Sequence, residues 1–311
     1  MSNIVIKLTP KVQKDVMNYY SQNIVERKAP GVIFAAKLAD CVITIYSSGK
    51  VMFQGGGCER EAEQWKTQAE DTPNMTLSKG DTLPKNLSSL SVIGSDETGT
   101  GDYFGPITVA AVYVPQDKID LVKELGVKDS KMLSDDYMLK IASDLKATLP
   151  HCVLTLHNEK YNLVQAAGAS QGKMKAQLHN QAIGRLLEKI APEKPEYVLI
   201  DQFAERKTYY NYLKNEKEIV TENVLFATKA EQIHVAVAAA SILARCAFLS
   251  EMDKLSKLIG VTLPKGASHK VDEIAAQILL AQGEDALHSV TKWHFANTQK
   301  ASHIASKKRF K

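Results

Sequence analysis

The sequence predicts an α/β chain in two parts: a small α+β domain at the N-terminus, then a larger α/β domain whose central mixed sheet is flanked by helices. Three observations carry this. Beyond Leu90, short apolar runs of strand type alternate with segments of helical spacing, the pattern of strands packed against helices. From Ala69 to Ser89 the chain is polar and aperiodic, as a linker would be. With 311 residues and 44% hydrophobic content, the chain can bury the cores of one large and one small domain.

Taken in order, Ile4 to Leu8 reads as a strand. Thr9-Pro10 then supplies an N-cap and a proline at the first helical position, and Val12, Val16 and Tyr19 recur at helical spacing. Gly31 to Leu38, Cys41 to Tyr46 and Lys50 to Gln54 read as strands joined by hairpin turns at Ala39-Asp40 and Ser47-Ser48-Gly49. A polar helix over Cys58 to Thr67 closes the unit. The expected division is a domain at 1–68, a linker at 69–89 and a second domain at 90–311. In that domain Leu90 to Ser95, Ile107 to Val114, Cys152 to Leu156 and Tyr197 to Ile200 are strand candidates. A long helix from Lys229 to about Lys257 has an Ala-rich centre, Ala236 to Ala244, suited to close packing on a sheet.

Composition narrows the function classes. No run of 18 apolar residues occurs and the N-terminus lacks the pattern of a signal peptide, so a cytoplasmic protein without a membrane partner is expected. Cys41, Cys58, Cys152 and Cys246 are scattered without a C-x-x-C pair, which argues against a zinc site or a disulfide framework. The net charge of +4 is modest. Its distribution says more, because Ala286 to Lys311 holds six Lys or Arg and no acidic residue.

The sharpest local signal is Gly94-Ser95-Asp96-Glu97-Thr98-Gly99-Thr100-Gly101-Asp102, where an apolar strand ends. Adjacent carboxylates raise each other's pKa, a conflict that a divalent cation resolves. Consecutive strand side chains point to opposite faces, so both reach one ion only if the backbone bends, and the glycines that follow allow this. A second apolar run, Tyr197 to Ile200, also ends in a carboxylate, Asp201, with Glu205 four residues on. Neighbouring strands ending at one sheet edge would gather Asp96, Glu97 and Asp201. Such a cluster suits two Mg²⁺ or Mn²⁺ ions and phosphodiester hydrolysis, because hard cations take oxygen ligands. Gly94 to Gly101 lacks the Gly-Lys-Ser/Thr ending of a P-loop, which disfavours an NTPase.

Two resemblances follow from these residues. Pro30-Gly31-Val32-Ile33, Ile45 to Lys50 and Gly55 resemble one repeat of the TATA-binding-protein fold, which implies a sheet that meets nucleic acid. Asp96 to Pro106, Lys128-Asp129-Ser130-Lys131-Met132-Leu133, Asp201-Gln202-Phe203 and Ala238 to Arg245 resemble, in order, the blocks of the ribonuclease HII/HIII group. That resemblance implies a ribonuclease H-like catalytic domain, Mg²⁺ or Mn²⁺ as cofactor, and endonucleolytic cleavage of RNA in RNA-DNA hybrids leaving 5′-phosphate and 3′-hydroxyl ends. Thr100 in place of arginine, the additional N-terminal domain and Leu249 in place of an acidic residue point to the HIII branch.

The implied catalytic set is Asp96, Glu97, Asp201 and Glu205, with Glu251 as the rival for the fourth place and Asp96, Glu97 and Asp201 as metal ligands. The implied substrate contacts are Gly99, Thr100 and Gly101, reading the ribose 2′-hydroxyl through the backbone, with Ser130, Lys131, Lys173, Lys175 and Lys229 at phosphates. Each lysine taken singly reads equally well as a solvated charge. His179 and His234 read more as structural histidines than as ligands, and Trp293 and Phe295 as core. A monomer is expected. Two rivals remain open: an HII-type nuclease cutting at single ribonucleotides in duplex DNA, and a hybrid-binding module without catalysis, which would have no reason to gather carboxylates beside a polyanion.

Overall fold

The computed structural model describes residues 3–27, 31–66, 80–127 and 133–309. Ser130 and Lys131 lie outside them. The chain divides into two compact units, Met1–Thr76 and Leu77–Lys311.

The first unit is a four-stranded antiparallel sheet backed by two helices. Its elements are β1 (Asn3–Lys7), α1 (Pro10–Tyr19), β2 (Val32–Lys37), β3 (Val42–Tyr46), β4 (Lys50–Gln54) and α2 (Cys58–Lys66), with strand order β1-β4-β3-β2. Thr9 caps α1 by accepting from the Val12 N–H, and Pro10 stands in the first turn, where a missing N–H costs nothing. Alternation places Ile43, Ile45, Val51 and Phe53 inward against Val16, Ala62 and Trp65. The expected inward Tyr19 is instead exposed and Tyr20 is buried. Tyr20 has a partner there: its hydroxyl donates to Glu61 and accepts from the Trp65 indole N–H. Across the opposite face, Arg27 donates to Thr44 Oγ1 and Gln54 Oε1, while Val5 and Ile33 are exposed.

Part of the expected linker belongs to the second unit. Gly80 forms a β-bridge to Ala227, Asp81 accepts from the Phe226 N–H and from Arg206, and Leu87 is buried in the core. Polar composition concealed this, because the segment is held by a carboxylate–guanidinium pair and main-chain bonds and shows no apolar period.

The second unit is built on β5 (Val92–Thr98), β6 (Ile107–Val114), β7 (His151–Leu156), β8 (Tyr197–Asp201) and β9 (Val224–Ala227), in the order β7-β6-β5-β8-β9. β7, β6 and β5 pair antiparallel, whereas β5, β8 and β9 run parallel, so the sheet is mixed. Its two faces divide the apolar residues by alternation. Val92, Val112 and Leu199 pack beneath α4 (Asp135–Thr148) and α8 (Val235–Ile259), while Ile93, Val109, Val198 and Ile200 pack beneath α6 (Gln171–Ile190) and α7 (Arg206–Leu213). A third cluster joins Tyr103, Phe104 and Phe248 to the C-terminal helices α9 (His269–Gln282), α10 (Glu284–Val290) and α11 (Ala296–Arg309), and Trp293 and Phe295 pack on it as expected of core residues.

α8 is long and apolar enough to cross a membrane, but 67% of its apolar window is buried in this unit, as befits a core helix. It begins at Val235, six residues later than Lys229. Lys229 has left-handed backbone, a 3-10 turn spans Ala230–Gln232, and His234 caps the helix. Gly94 permits the contact of α8 with the sheet: a Cβ there would lie 2.2 Å from the Ala236 carbonyl carbon and the Val237 nitrogen. Only glycine lets β5 pass the first turn of α8 so closely.

Candidate active site

The strand carrying Asp96 and Glu97 does not bend. Its ladder with β6 continues through Asp96↔Ala110, Glu97↔Val109 and Thr98↔Thr108, so the two carboxylates leave opposite faces of the sheet. They still share one cavity, because β5 outruns its parallel neighbour. The β5–β8 pairing ends at Ser95↔Ile200, which sets Asp96 beside Asp201 in register at the edge. A cavity of about 490 Å³ opens there, lined by Asp96, Glu97, Thr98, Leu133, Asp135, Met138, Asp201, Glu231, Ser241 and Arg245.

Each carboxylate is held differently. Asp96 is 8% exposed, accepts from the Glu97 N–H at 2.7 Å, and is hydrogen-bonded by Ser241 from α8. Burial, then the charges of Glu97 and Asp201, push its pKa up to about 8 despite those bonds. Glu97 shifts the other way. Burial alone would raise it, but His179 and Lys175 outweigh burial and hold the carboxyl below the usual range. Both partners come from one face of α6, four residues apart: Lys175 Nζ donates to Oε1 at 2.7 Å and His179 Nε2 lies 2.9 Å from Oε2. His179 Nδ1 lies 2.7 Å from Ser95 Oγ, and the Phe203 ring stacks on the imidazole with the Lys175 ammonium over its face. Asp201 Oδ1 accepts from the Ala230 N–H at 3.0 Å, which fixes the turn carrying Glu231.

The structure therefore brings Asp96, Glu97 and Asp201 together and leaves Glu205 out. Residues 202–205 are not helical, so the four-residue spacing from Asp201 does not return Glu205 to the cavity. Glu205 sits exposed at the N-cap of α7. Glu251 is also elsewhere, paired with Lys254 and His157 on the outer turns of α8. Two further carboxylates line the cavity, Glu231, 7% exposed, and Asp135, which is paired with Arg245 and Lys265; the sequence reading missed both, and Glu231 takes the fourth place that Glu205 and Glu251 do not reach. A signal existed: Val224-Leu225-Phe226-Ala227 is another short apolar run, and Glu231 comes four residues after it.

Of the expected substrate contacts, Lys175 is committed to Glu97, while Lys173 in the first turn of α6 and the exposed Lys229 show no such pairing to a carboxylate of the cavity. Gly99 has φ +96°, and a Cβ there would meet the Pro106 carbonyl at 2.2 Å; Gly101 faces open space. The Thr100 carbonyl accepts from Gln171, and the following loop is fixed by buried Lys292, which donates to the carbonyls of Asp102 and Gly105. His234 is structural, as expected.

Among the described residues, no group of three His, Cys, Asp or Glu side chains is ready to hold a metal ion. The donor chemistry nevertheless fits a hard cation. Five carboxylates among the described residues, Asp96, Glu97, Asp135, Asp201 and Glu231, line one cavity, and burial together with the charges of Glu97 and Asp201 disfavours the ionised Asp96, a conflict that a hard cation would relieve.

This sheet order and acidic edge set the larger unit among ribonuclease H-type nucleases, and the Ribonuclease HII family model matches residues 93–298. A domain family of unknown function matches residues 3–77. Full-length relatives narrow the assignment: the ribonuclease HIII of Lysinibacillus sphaericus is 67% identical over 305 residues, covering 97% of this chain and 99% of the relative, and that of Bacillus subtilis is 51% identical over 313 residues, covering 99% and 100%. The crystal structure of Bst-RNase HIII in complex with Mn²⁺ is 47% identical, covers 98% of this chain and 100% of its own, and superposes with a TM-score of 0.70. The chain belongs to the ribonuclease HIII branch of the ribonuclease HII family and is a ribonuclease H-type enzyme.

Proposed function

We propose that the protein is an endoribonuclease that hydrolyses the RNA strand of RNA-DNA hybrids with divalent cations, Mg²⁺ or Mn²⁺, leaving 5′-phosphate and 3′-hydroxyl ends. The observation that carries this reading is the convergence of Asp96, Glu97, Asp201 and Glu231 on one cavity from β5, β8 and the turn before α8. Asp96, Asp201 and Glu231 would supply oxygen ligands, with Glu97 completing the set. Bound divalent cations supply an activated water and stabilise the leaving oxygen. The remaining work is done by the chain. Ser241 and the Glu97 N–H fix the Asp96 carboxylate, and Lys175 and His179 hold Glu97 from the opposite face of the sheet, so neither acid must reorganise when substrate arrives.

Ribose would be recognised by the backbone of Gly99 to Gly101, where the absent side chains allow close approach to a 2′-hydroxyl. Lys173 and Lys229 would contact flanking phosphates. The face of the first unit that carries Arg27, Thr44 and Gln54 is proposed as a further hybrid contact, and the protein is taken to act as a cytoplasmic monomer. The test is incubation with a labelled RNA-DNA hybrid in Mg²⁺, Mn²⁺ or EDTA. Wild type should cut with either metal and not in EDTA, and Asp96→Asn should bind hybrid but not cut it. Undiminished cleavage by Asp96→Asn would refute the site.

A further inference from the structure

Arg245 lines the same cavity as the carboxylates, yet the acidic set makes no use of it. Its guanidinium is fixed on two sides. Nε and Nη2 donate to the Asp135 carboxylate at 3.0 and 3.4 Å, and the group stands over the Phe248 ring, 5.7 Å from its centroid. Phe248 in turn packs under Gly99, since a Cβ at Gly99 would lie 3.0 Å from that ring. The guanidinium is therefore built against the base of the ribose-reading loop. Asp135 also accepts from Lys265 Nζ, so two cations share one carboxylate and a positive charge is left over. Lys265 belongs to the same surroundings: its neighbour Gly266 donates its N–H to Asp102 Oδ1 and accepts from the Tyr103 N–H.

A side chain needed only to brace α4 against α8 has no reason to carry its charge into an active-site cavity, or to share its carboxylate partner with a second cation. A preoriented guanidinium whose Nε edge is occupied still offers Nη1 to an anion, and a planar fork of this kind suits a phosphodiester. We propose that Arg245 and Lys265 form a clamp for a non-scissile backbone phosphate of the hybrid, with Asp135 as the residue that orients them. The proposal rests on the nuclease reading above and adds to it a second anchoring point, with Arg245 lining the cavity and Lys265 reaching Asp135.

The experiment measures hybrid affinity by fluorescence anisotropy in EDTA across a salt series, alongside kcat and KM in Mn²⁺, for wild type, Arg245→Gln, Lys265→Gln and Asp135→Asn. Loss of one phosphate contact should flatten the plot of log affinity against log salt by about 0.9 for Arg245→Gln and for Lys265→Gln. KM should rise about tenfold for Arg245→Gln while kcat changes less. Asp135→Asn keeps an oxygen acceptor that can still orient both cations and removes an anion beside the phosphate, so it should leave the slope intact and bind hybrid at least as well as wild type. A brace alone predicts the opposite: Arg245→Gln and Asp135→Asn would lose thermal stability together, with unchanged salt slopes, and that result overturns the clamp. Lys265→Gln changes a side chain that is 43% exposed and outside the apolar core, so it reads the clamp even if Arg245→Gln does not fold. Wild type that fails to cut hybrid refutes the nuclease reading; wild type that cuts, with slopes unmoved in both cation variants, refutes the clamp alone.

Discussion

Acid should loosen this protein in part through the buried imidazole of His234. His234 is 2% exposed and has a partner on each ring nitrogen: Nε2 lies 3.1 Å from the Leu90 carbonyl, and Nδ1 accepts from the Ala236 N–H at 3.0 Å as the N-cap of α8. A proton on Nδ1 abolishes that cap. Burial, reinforced by the Lys123 charge and opposed by the Leu90 bond, lowers the pKa from 6.5 to about 4. The folded state therefore refuses a proton that the unfolded state takes up below pH 6.5. Stability contributed by the neutral ring is complete above the unfolded value and is lost as pH falls through 6.5 toward 4. Linkage gives a loss of about 2 kcal/mol by pH 5 and about 3 kcal/mol by pH 4 from this group. The perturbation that isolates it is His234→Asn, which keeps a neutral capping acceptor and removes the titration. Urea unfolding of both proteins at pH 7, 5 and 4 supplies the assay. Wild type should be the more stable at pH 7, since Asn forfeits the Leu90 bond, and the gap should shrink by about 3 kcal/mol by pH 4. If both proteins lose stability in parallel over that range, His234 is not the buried neutral cap described.

Three further outcomes follow from the site. Glu231→Gln should lower the cleavage rate on the order of 100-fold, while Glu205→Gln stays near wild type, and single-turnover rates of the two variants decide between the candidates for the fourth carboxylate. Lys175→Met should lower kcat about tenfold or more with KM for hybrid little changed, because this lysine serves Glu97; a rise in KM alone would return it to the phosphate role. Removing residues 1–76 should raise the Kd for hybrid far more than it slows turnover at saturating substrate, and equal affinity with and without that segment would remove its proposed role.

Much of the architecture follows from local pattern. Thr9-Pro10 starts α1, the hairpin turns separate β2, β3 and β4, and Ile107–Val114, fully buried and apolar but for Thr108, is a strand because both its faces are covered. The chemistry of Asp96 and Asp201 was legible for the same reason, since each is a charge at the end of an apolar run that must be buried. The fourth carboxylate was not. β9 has only four residues, too few for a period to stand out, and the local i to i+4 rule selected Glu205 where the chain was not helical.

Strands β1 to β8, helices α1 and α2, most of α8 and the strand-end acids Asp96 and Asp201 were legible along the chain, because periodicity, caps and buried charge are written in neighbouring residues. The tertiary structure alone decided which distant groups meet. Lys175 reaches Glu97 across 78 positions and Arg245 reaches Asp135 across 110, and it is the sheet order β7-β6-β5-β8-β9 with helices on both faces that brings α6 and α8 to the two sides of one strand end. No local pattern encodes such encounters, because they depend on which strands become neighbours, and that is settled by burial of the whole sheet.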